Sequence, residues 1–239
     1  MQKRQEIIEQ IKRRKRQQRR STILIASGIV LVLAAFLMVP TLQRALAPVG
    51  DIQEPETFER PMTEGNAMGD PQAPVVIHEY SDYGCGHCGT FSQETTPKIA
   101  EDYVAEGQVY FVSHSVGSML NDTISPRLAE AAYCAGDQGA YWQYHDYIFA
   151  NQLTLYSTTN LPLQKYIEAF AQELSLDMDA FLACYEGRTY AERVQQEGIE
   201  ARQADIYSTP SFLINDELLV GNQPYEAFQA AIEEALVAE

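Results

Sequence analysis

Basic residues are scarce over most of this 239-residue chain. From Ala45 to the C-terminus, seven Lys or Arg face 31 Asp or Glu. A body so acidic repels nucleic acid and anionic lipid, which excludes a nucleic-acid partner for it. Cysteine is scarce too: there are four, and none precedes Cys85. No internal repeat is present, so repeat architectures are excluded. Low complexity is absent outside one basic arm and one proline-rich stretch. Charge is missing altogether from Ile23 to Val39, inside "TILIASGIVLVLAAFLMVP". What is plentiful is apolar material: 46 % of residues are hydrophobic, enough for a packed core and against a disordered chain.

The two unusual N-terminal stretches belong together. Residues 1–21 hold nine Lys or Arg against Glu6 and Glu9, directly before the uncharged run. With its flanks, 22–42 reaches the roughly 20 residues that a membrane-spanning helix needs. The positive-inside rule then puts the arm in the cytoplasm and the body outside. The alternative is a cleaved signal peptide. Against it, the run exceeds the usual apolar core of about 7–15 residues, and the best cleavage candidate, "ALAP" at Ala45–Pro48, ends in proline. The expectation is a signal anchor with an extracytoplasmic body. Residues 43–74, rich in Pro, Gly and acids and without apolar periodicity, are expected to be a flexible tether.

Beyond the tether, "VVIHEY" (Val75–Tyr80) reads as a strand, Cys88 to about Ala105 as a helix bent at Pro97, and "QVYFVSHSV" (Gln108–Val116) as a second strand. From about 118 to 204 the pattern is helical throughout. The end returns to strands: "PSFLIND" and "ELLVG" meet at Asn215–Asp216 in a hairpin, followed by an amphipathic helix with Tyr225, Phe228, Ile232 and Leu236 on one face. The order is a βαβ unit and a ββα unit separated by an all-helical insert at about 118–204, together spanning 75–239.

The chemistry centres on "SDYGCGHCGTFS" (Ser81–Ser92). Cys85 and Cys88 sit at a strand-to-helix junction, where unpaired backbone amides and the helix dipole favour negative charge. A thiol there has its pKa lowered, and the thiolate is both the attacking species and the better leaving group. His87 is placed to donate a hydrogen bond or a charge, and Gly86 leaves Cys85 open. A structural zinc site would pair two short Cys/His couples, whereas the next cysteines, Cys134 and Cys184, stand alone in helical pattern. No metal is expected. An inert staple remains as the other alternative to a redox pair.

"GDPQAPVVIHEYSDYGCGHC" together with "STPSFLIND" resembles the DsbA family of thiol–disulfide oxidoreductases, on the thioredoxin fold, from about Met68 to the C-terminus. The resemblance implies that Cys85 is the nucleophile, Cys88 the resolving cysteine, and Pro210, preceded by Thr209, the cis-proline facing them. It also implies a quinone-linked membrane partner that reoxidises the pair, with thiol-containing exported proteins as substrates. Glu79 shares a strand face with Val75 and Ile77; buried there its pKa should rise, suiting it to take the proton of Cys88. Asp82, in the loop, is expected to be exposed. Cys134 and Cys184, in an oxidising compartment, are expected to form a structural disulfide, two buried free thiols being the alternative. His78, His114 and His145 show no partners. The Gly-His dipeptide, where strongly oxidising members of the family carry Pro-His, points to some isomerase competence. A monomer with no cofactor is expected. A reductase of the same fold, or a tethered binding module with structural disulfides, remain as rivals.

Overall fold

Residues 27, 34, 36–38, 49–117, 119 and 123–238 are described by the computed structural model. The basic arm, nearly all of the 22–42 apolar run and the start of the tether lie outside them. Among the described residues, no helix is long and apolar enough to cross a membrane. Val49–Glu239 forms one compact unit.

Five strands make its sheet: β1 (Ala67–Met68), β2 (Val75–Ser81), β3 (Val109–Ser115), β4 (Ser211–Ile214) and β5 (Glu217–Val220), in the order β1-β3-β2-β4-β5. Strands β2 and β3 are parallel and every other pair antiparallel. The parallel pair is joined through α1 (Gly86–Glu94), α2 (Thr96–Ile99) and a π-helical turn at Ala100–Val104. The helix breaks at Thr95, two residues before the expected bend at Pro97, which stands in the first turn of α2, where its missing N–H costs nothing. The β4–β5 hairpin turns at Asn215, whose φ of 51° suits the left-handed turn. Helix α9 (Tyr225–Val237) closes the fold.

The two halves are joined by rings. Phe91 of α1 lies 4.4 Å from Phe212 of β4 and 5.2 Å from Phe228 of α9, and the latter two are 4.8 Å apart. All three are fully buried. Each such pair contributes about 0.5–1.5 kcal/mol beyond the area it buries. The same inner face of α1 carries Cys88, so the packing that holds the helix on the sheet also holds the second sulfur in the core.

Between β3 and β4 runs the insert: α3 (Ser125–Gly136), α4 (Tyr141–Ala150), α5 (Gln152–Ser157), α6 (Leu163–Glu173), α7 (Met178–Glu186) and α8 (Ala191–Gln203). Helix α8 crosses the end of β3 so closely that a Cβ on Gly198 would come within 2.7 Å of the Val116 carbonyl.

The described part of the expected tether is not free. Val49, Ile52 and Phe58 pack against the main hydrophobic core. Gly50 N–H donates to Tyr166, Gln53 pairs with Asn151, and Arg60 binds Asp146 with two 2.8 Å bonds. Ala67 and Met68 then join the sheet. The proline-rich composition conceals this because a few spaced anchors suffice to dock a strap, and they leave no periodicity.

Candidate active site

The stretch from Ser81 to Cys88 leaves β2, turns and enters α1, with Cys85 as the N-cap. Asp82 builds the turn. Its carbonyl accepts from Cys85 N–H at 2.9 Å. Its carboxylate accepts from Gly84 N–H and Met119 N–H at 2.7 Å each, and from the Ser125 hydroxyl at 2.5 Å. Asp82 is fully buried, against the expectation of exposure: the insert covers it, and three protein donors take the place of water at its carboxylate. Ser125 spends its hydroxyl here instead of capping α3. From α5, Gln152 donates to the carbonyls of Tyr83 and Cys85. Both contributions come from distant chain, and nothing local in the sequence signals them.

Cys85 is half-buried and Cys88 wholly buried, and both are free thiols. The Cys85 thiol is lowered to about 5, chiefly by a hydrogen bond from Cys88. The Thr209 side chain and the backbone amides of Cys88 and His87 add to this, while burial opposes it. The Cys88 thiol is pushed well up, first by burial and then by its partner sulfur. The pair is therefore polarised: one sulfur ready as a thiolate, the other holding a proton. Gly86 and the His87 side chain are exposed, and it is the backbone amide of His87 that reaches Cys85. A side chain at Gly86 would meet nothing within 4 Å.

Opposite them comes the loop before β4. The Thr209–Pro210 peptide is cis, and the Thr209 carbonyl lies 3.2 Å from the Cys85 sulfur, which donates to it as a thiol. Pro210 is buried, and its own carbonyl accepts from Gly221 N–H at 2.8 Å.

Glu79 lies two residues before the end of β2, paired with Ser113 of β3 and Phe212 of β4. It is 2 % exposed, and its Oε1 makes no hydrogen bond to another protein group. Burial raises its carboxyl to about 7; the Ser113 and Ser81 hydroxyls and the charge of Arg60 hold it back only in part. Ser81, on the same strand face, also bears on Cys88, so the carboxyl and the buried thiol share a neighbour.

Cys134 of α3 and Cys184 of α7 are bonded, with Cα atoms 5.8 Å apart. The histidines have partners that the sequence does not reveal. Nδ1 of His78 lies 2.9 Å from Nε2 of His114, which contacts Glu197 of α8, and His145 contacts Asp146. Neither pair touches the cysteines. Among the described residues, no group of three His, Cys, Asp or Glu could hold a metal.

A family model described as "Thioredoxin" matches residues 62–234. The Na(+)/H(+) antiporter NhaA 1 of Salinispora arenicola is 29 % identical over 217 residues, which are 88 % of this chain and 31 % of the antiporter. The chain thus spans about a third of the length of that relative, 31 %. The probable disulfide bond formation protein D of Bacillus cereus is 24 % identical over 222 residues, covering 91 % of this chain and 99 % of that protein. The solved structure of oxidised BdbD from Bacillus subtilis has a TM-score of 0.63 at 21 % identity, covering 77 % of this chain and 99 % of that one, a likeness of fold. With the half-buried Cys85 and the buried Cys88 at the head of α1, the match over most of its length identifies the chain as a member of the thioredoxin family.

Proposed function

We propose that this chain is an extracytoplasmic thiol–disulfide oxidoreductase that introduces disulfides into exported proteins, held at the membrane by the 22–42 segment. The observation that carries the reading is the asymmetry of the pair: Cys85 at a helix N-terminus with its thiol lowered to about 5, and Cys88 buried with its thiol raised. A stable Cys85 thiolate makes the dithiol form favourable, and hence the disulfide form oxidising.

The chemistry balances as follows. A substrate thiolate attacks Cys85 Sγ of the oxidised pair. The Cys85–Cys88 bond breaks, a substrate–Cys85 bond forms, and Cys88 leaves with the electron pair, taking a proton from Glu79. A second substrate thiolate attacks the substrate sulfur, Cys85 departs as a thiolate, and the substrate keeps a new disulfide. Two electrons have passed to the enzyme. A disulfide of a membrane-embedded, quinone-linked partner would take them back: Cys85 attacks it, and Cys88 then gives its proton to Glu79 and resolves the mixed disulfide. The backbone at Thr209 and Pro210, beside the sulfur, is placed to pair with an extended substrate.

The deciding test is the reduction potential of residues 49–239, equilibrated with glutathione and read by mass mapping of each cysteine. A value between about −120 and −180 mV, those of DsbA and protein disulfide isomerase, supports disulfide formation with some isomerisation. A value near about −270 mV, that of thioredoxin, reverses the electron flow and makes the chain a reductase. No exchange at Cys85 leaves a binding module with structural disulfides.

A further inference from the structure

Arg60 reaches this site from outside the domain that the family shares, two residues before the matched span opens at residue 62. Its side chain is 7 % exposed and binds Asp146 of α4 bidentately at 2.8 Å. The rings of Phe58 and Trp142 cover it, with centroids 3.7 and 5.1 Å from Cζ. Asp146 in turn contacts Nδ1 of His145 at 3.2 Å. His145 forms one wall of a tight polar pocket completed by Ser81, Tyr83, Ser113, Ser115 and Tyr141. Ser81 and Ser113 are the neighbours of Glu79, one along its strand and one across the sheet. The Arg60–Asp146 pair therefore stands behind the serines that flank Glu79, and the Arg60 charge bears on its carboxyl. The other titratable groups that face this region are Tyr83 from the turn and Tyr141 from α4, which interact with the Glu79 charge, His145, which lines the same pocket as its serine neighbours, and Cys88 from α1, which shares Ser81 with it.

Fastening the strap does not by itself call for this chemistry. A buried ion pair rarely stabilises more than apolar side chains of equal volume, because both charges lose their hydration. Nε of Arg60 is also buried without a hydrogen-bond partner, a further cost of about 1–3 kcal/mol. Val49, Ile52 and Phe58 already pin the strap. What the guanidinium adds is a fixed positive charge in a poorly polarisable interior, where its reach is long.

We propose that Arg60 is a positioning residue for the redox site: the strap carries its charge behind Glu79, Asp146 holds it there, and it favours the ionised carboxylate. The inference rests on reading Glu79 as the group that takes the Cys88 proton. In that step the Cys88 S–H bond breaks, an O–H bond forms on Glu79, and Cys88 Sγ bonds to Cys85 Sγ as the partner's sulfur leaves with the electron pair. Arg60 makes the carboxylate available at neutral pH.

The test follows the Glu79 carboxyl by carbon-13 NMR in the reduced full-length chain, with Glu79→Gln identifying its signal. The wild-type midpoint falls at about 7. Arg60→Gln raises it by about 0.5–1 pH unit, and Arg60→Lys, which keeps the charge, holds it close to the wild type. Arg60→Gln strands the Asp146 charge, so Arg60→Met/Asp146→Leu, which removes both charges at similar volume, is measured beside it and also titrates above the wild type. An unmoved midpoint in the Met/Leu variant overturns the inference. Disulfide exchange at Cys85 is assayed on the same samples: an inactive wild type sinks the oxidoreductase reading, whereas an unmoved titration in an active wild type sinks the role of Arg60 alone.

Discussion

The sulfur of Cys85 and the carbonyl oxygen of Thr209 meet at 3.2 Å across 124 residues of chain. Cys85 thus sits on the seam between the βαβ and ββα halves, with a backbone acceptor beside it. Cys88, one helical turn on, faces the core. Cys85→Ser should abolish exchange with a thiol peptide. Cys88→Ser should leave the first attack intact and accumulate a covalent Cys85–peptide adduct, visible as a non-reducing gel shift. An adduct on Cys88 in the Cys85→Ser protein would reverse the two roles.

Titration of Cys85 reads its electrostatics directly. In the reduced protein, thiolate absorbance should rise through about pH 5 and stay level from pH 6 to 8, against a midpoint of about 8.5 for an unstructured thiol. A depressed folded value stabilises the reduced fold most above the unfolded value, and that gain is lost as pH falls through about 5. The reduced form should therefore lose stability relative to the oxidised form between about pH 8.5 and pH 5. Urea melts of both forms at pH 8 and pH 5 check this, and parallel curves would contradict it.

Glu79 has the opposite sign. Its carboxyl is raised from 4.5 to about 7, so the fold is best served by the protonated group. That advantage is complete below about pH 4.5 and lost as pH rises through about 7. Glu79→Gln should match the wild type in stability at pH 4 and exceed it at pH 8 by up to roughly 3 kcal/mol. The same variant should resolve mixed disulfides more slowly at pH 7. Equal melts at both pH values would mean that Glu79 titrates like a surface acid.

Asp82 is the hinge pin of the turn. Asp82→Ala strips the half-buried Gly84 and Met119 amides of their acceptor and leaves the Ser125 hydroxyl only the Gly117 carbonyl. The expected loss is about 2–4 kcal/mol in urea unfolding, with the Cys85 titration shifting as the turn loosens. A change below about 1 kcal/mol would show that another group takes over its bonds.

The Cys134–Cys184 bond closes a loop with a sequence separation of 50. Replacing both with Ala should cost about 4 kcal/mol in the chain-entropy account and leave the Cys85–Cys88 potential in place. A shifted potential would make this bond a regulator of the site instead of a staple.

The legible parts of this protein are those written in short-range pattern. Alternating polar and apolar residues give β2 and put Glu79 on the face of Val75 and Ile77. Asp177 announces the start of α7 by capping it, and Asn215–Asp216 announces the hairpin. Cys85 and Cys88 carry their chemistry in their spacing and in the strand-to-helix junction. Each of these depends on residues a few positions apart, whose geometry follows from the helix or strand period itself.

What only the tertiary structure decided lies between residues far apart in the chain. Asp82 is buried because α3 arrives over it, His78 finds His114 because β2 and β3 run parallel in register, and the strap is docked because Tyr166, Asn151 and Asp146 meet it. Solvation and charge, unlike periodicity, depend on everything that surrounds a group. The sequence could therefore determine that Glu79 faces inward, but only the packed chain could set Ser113 beside it and Arg60 behind it.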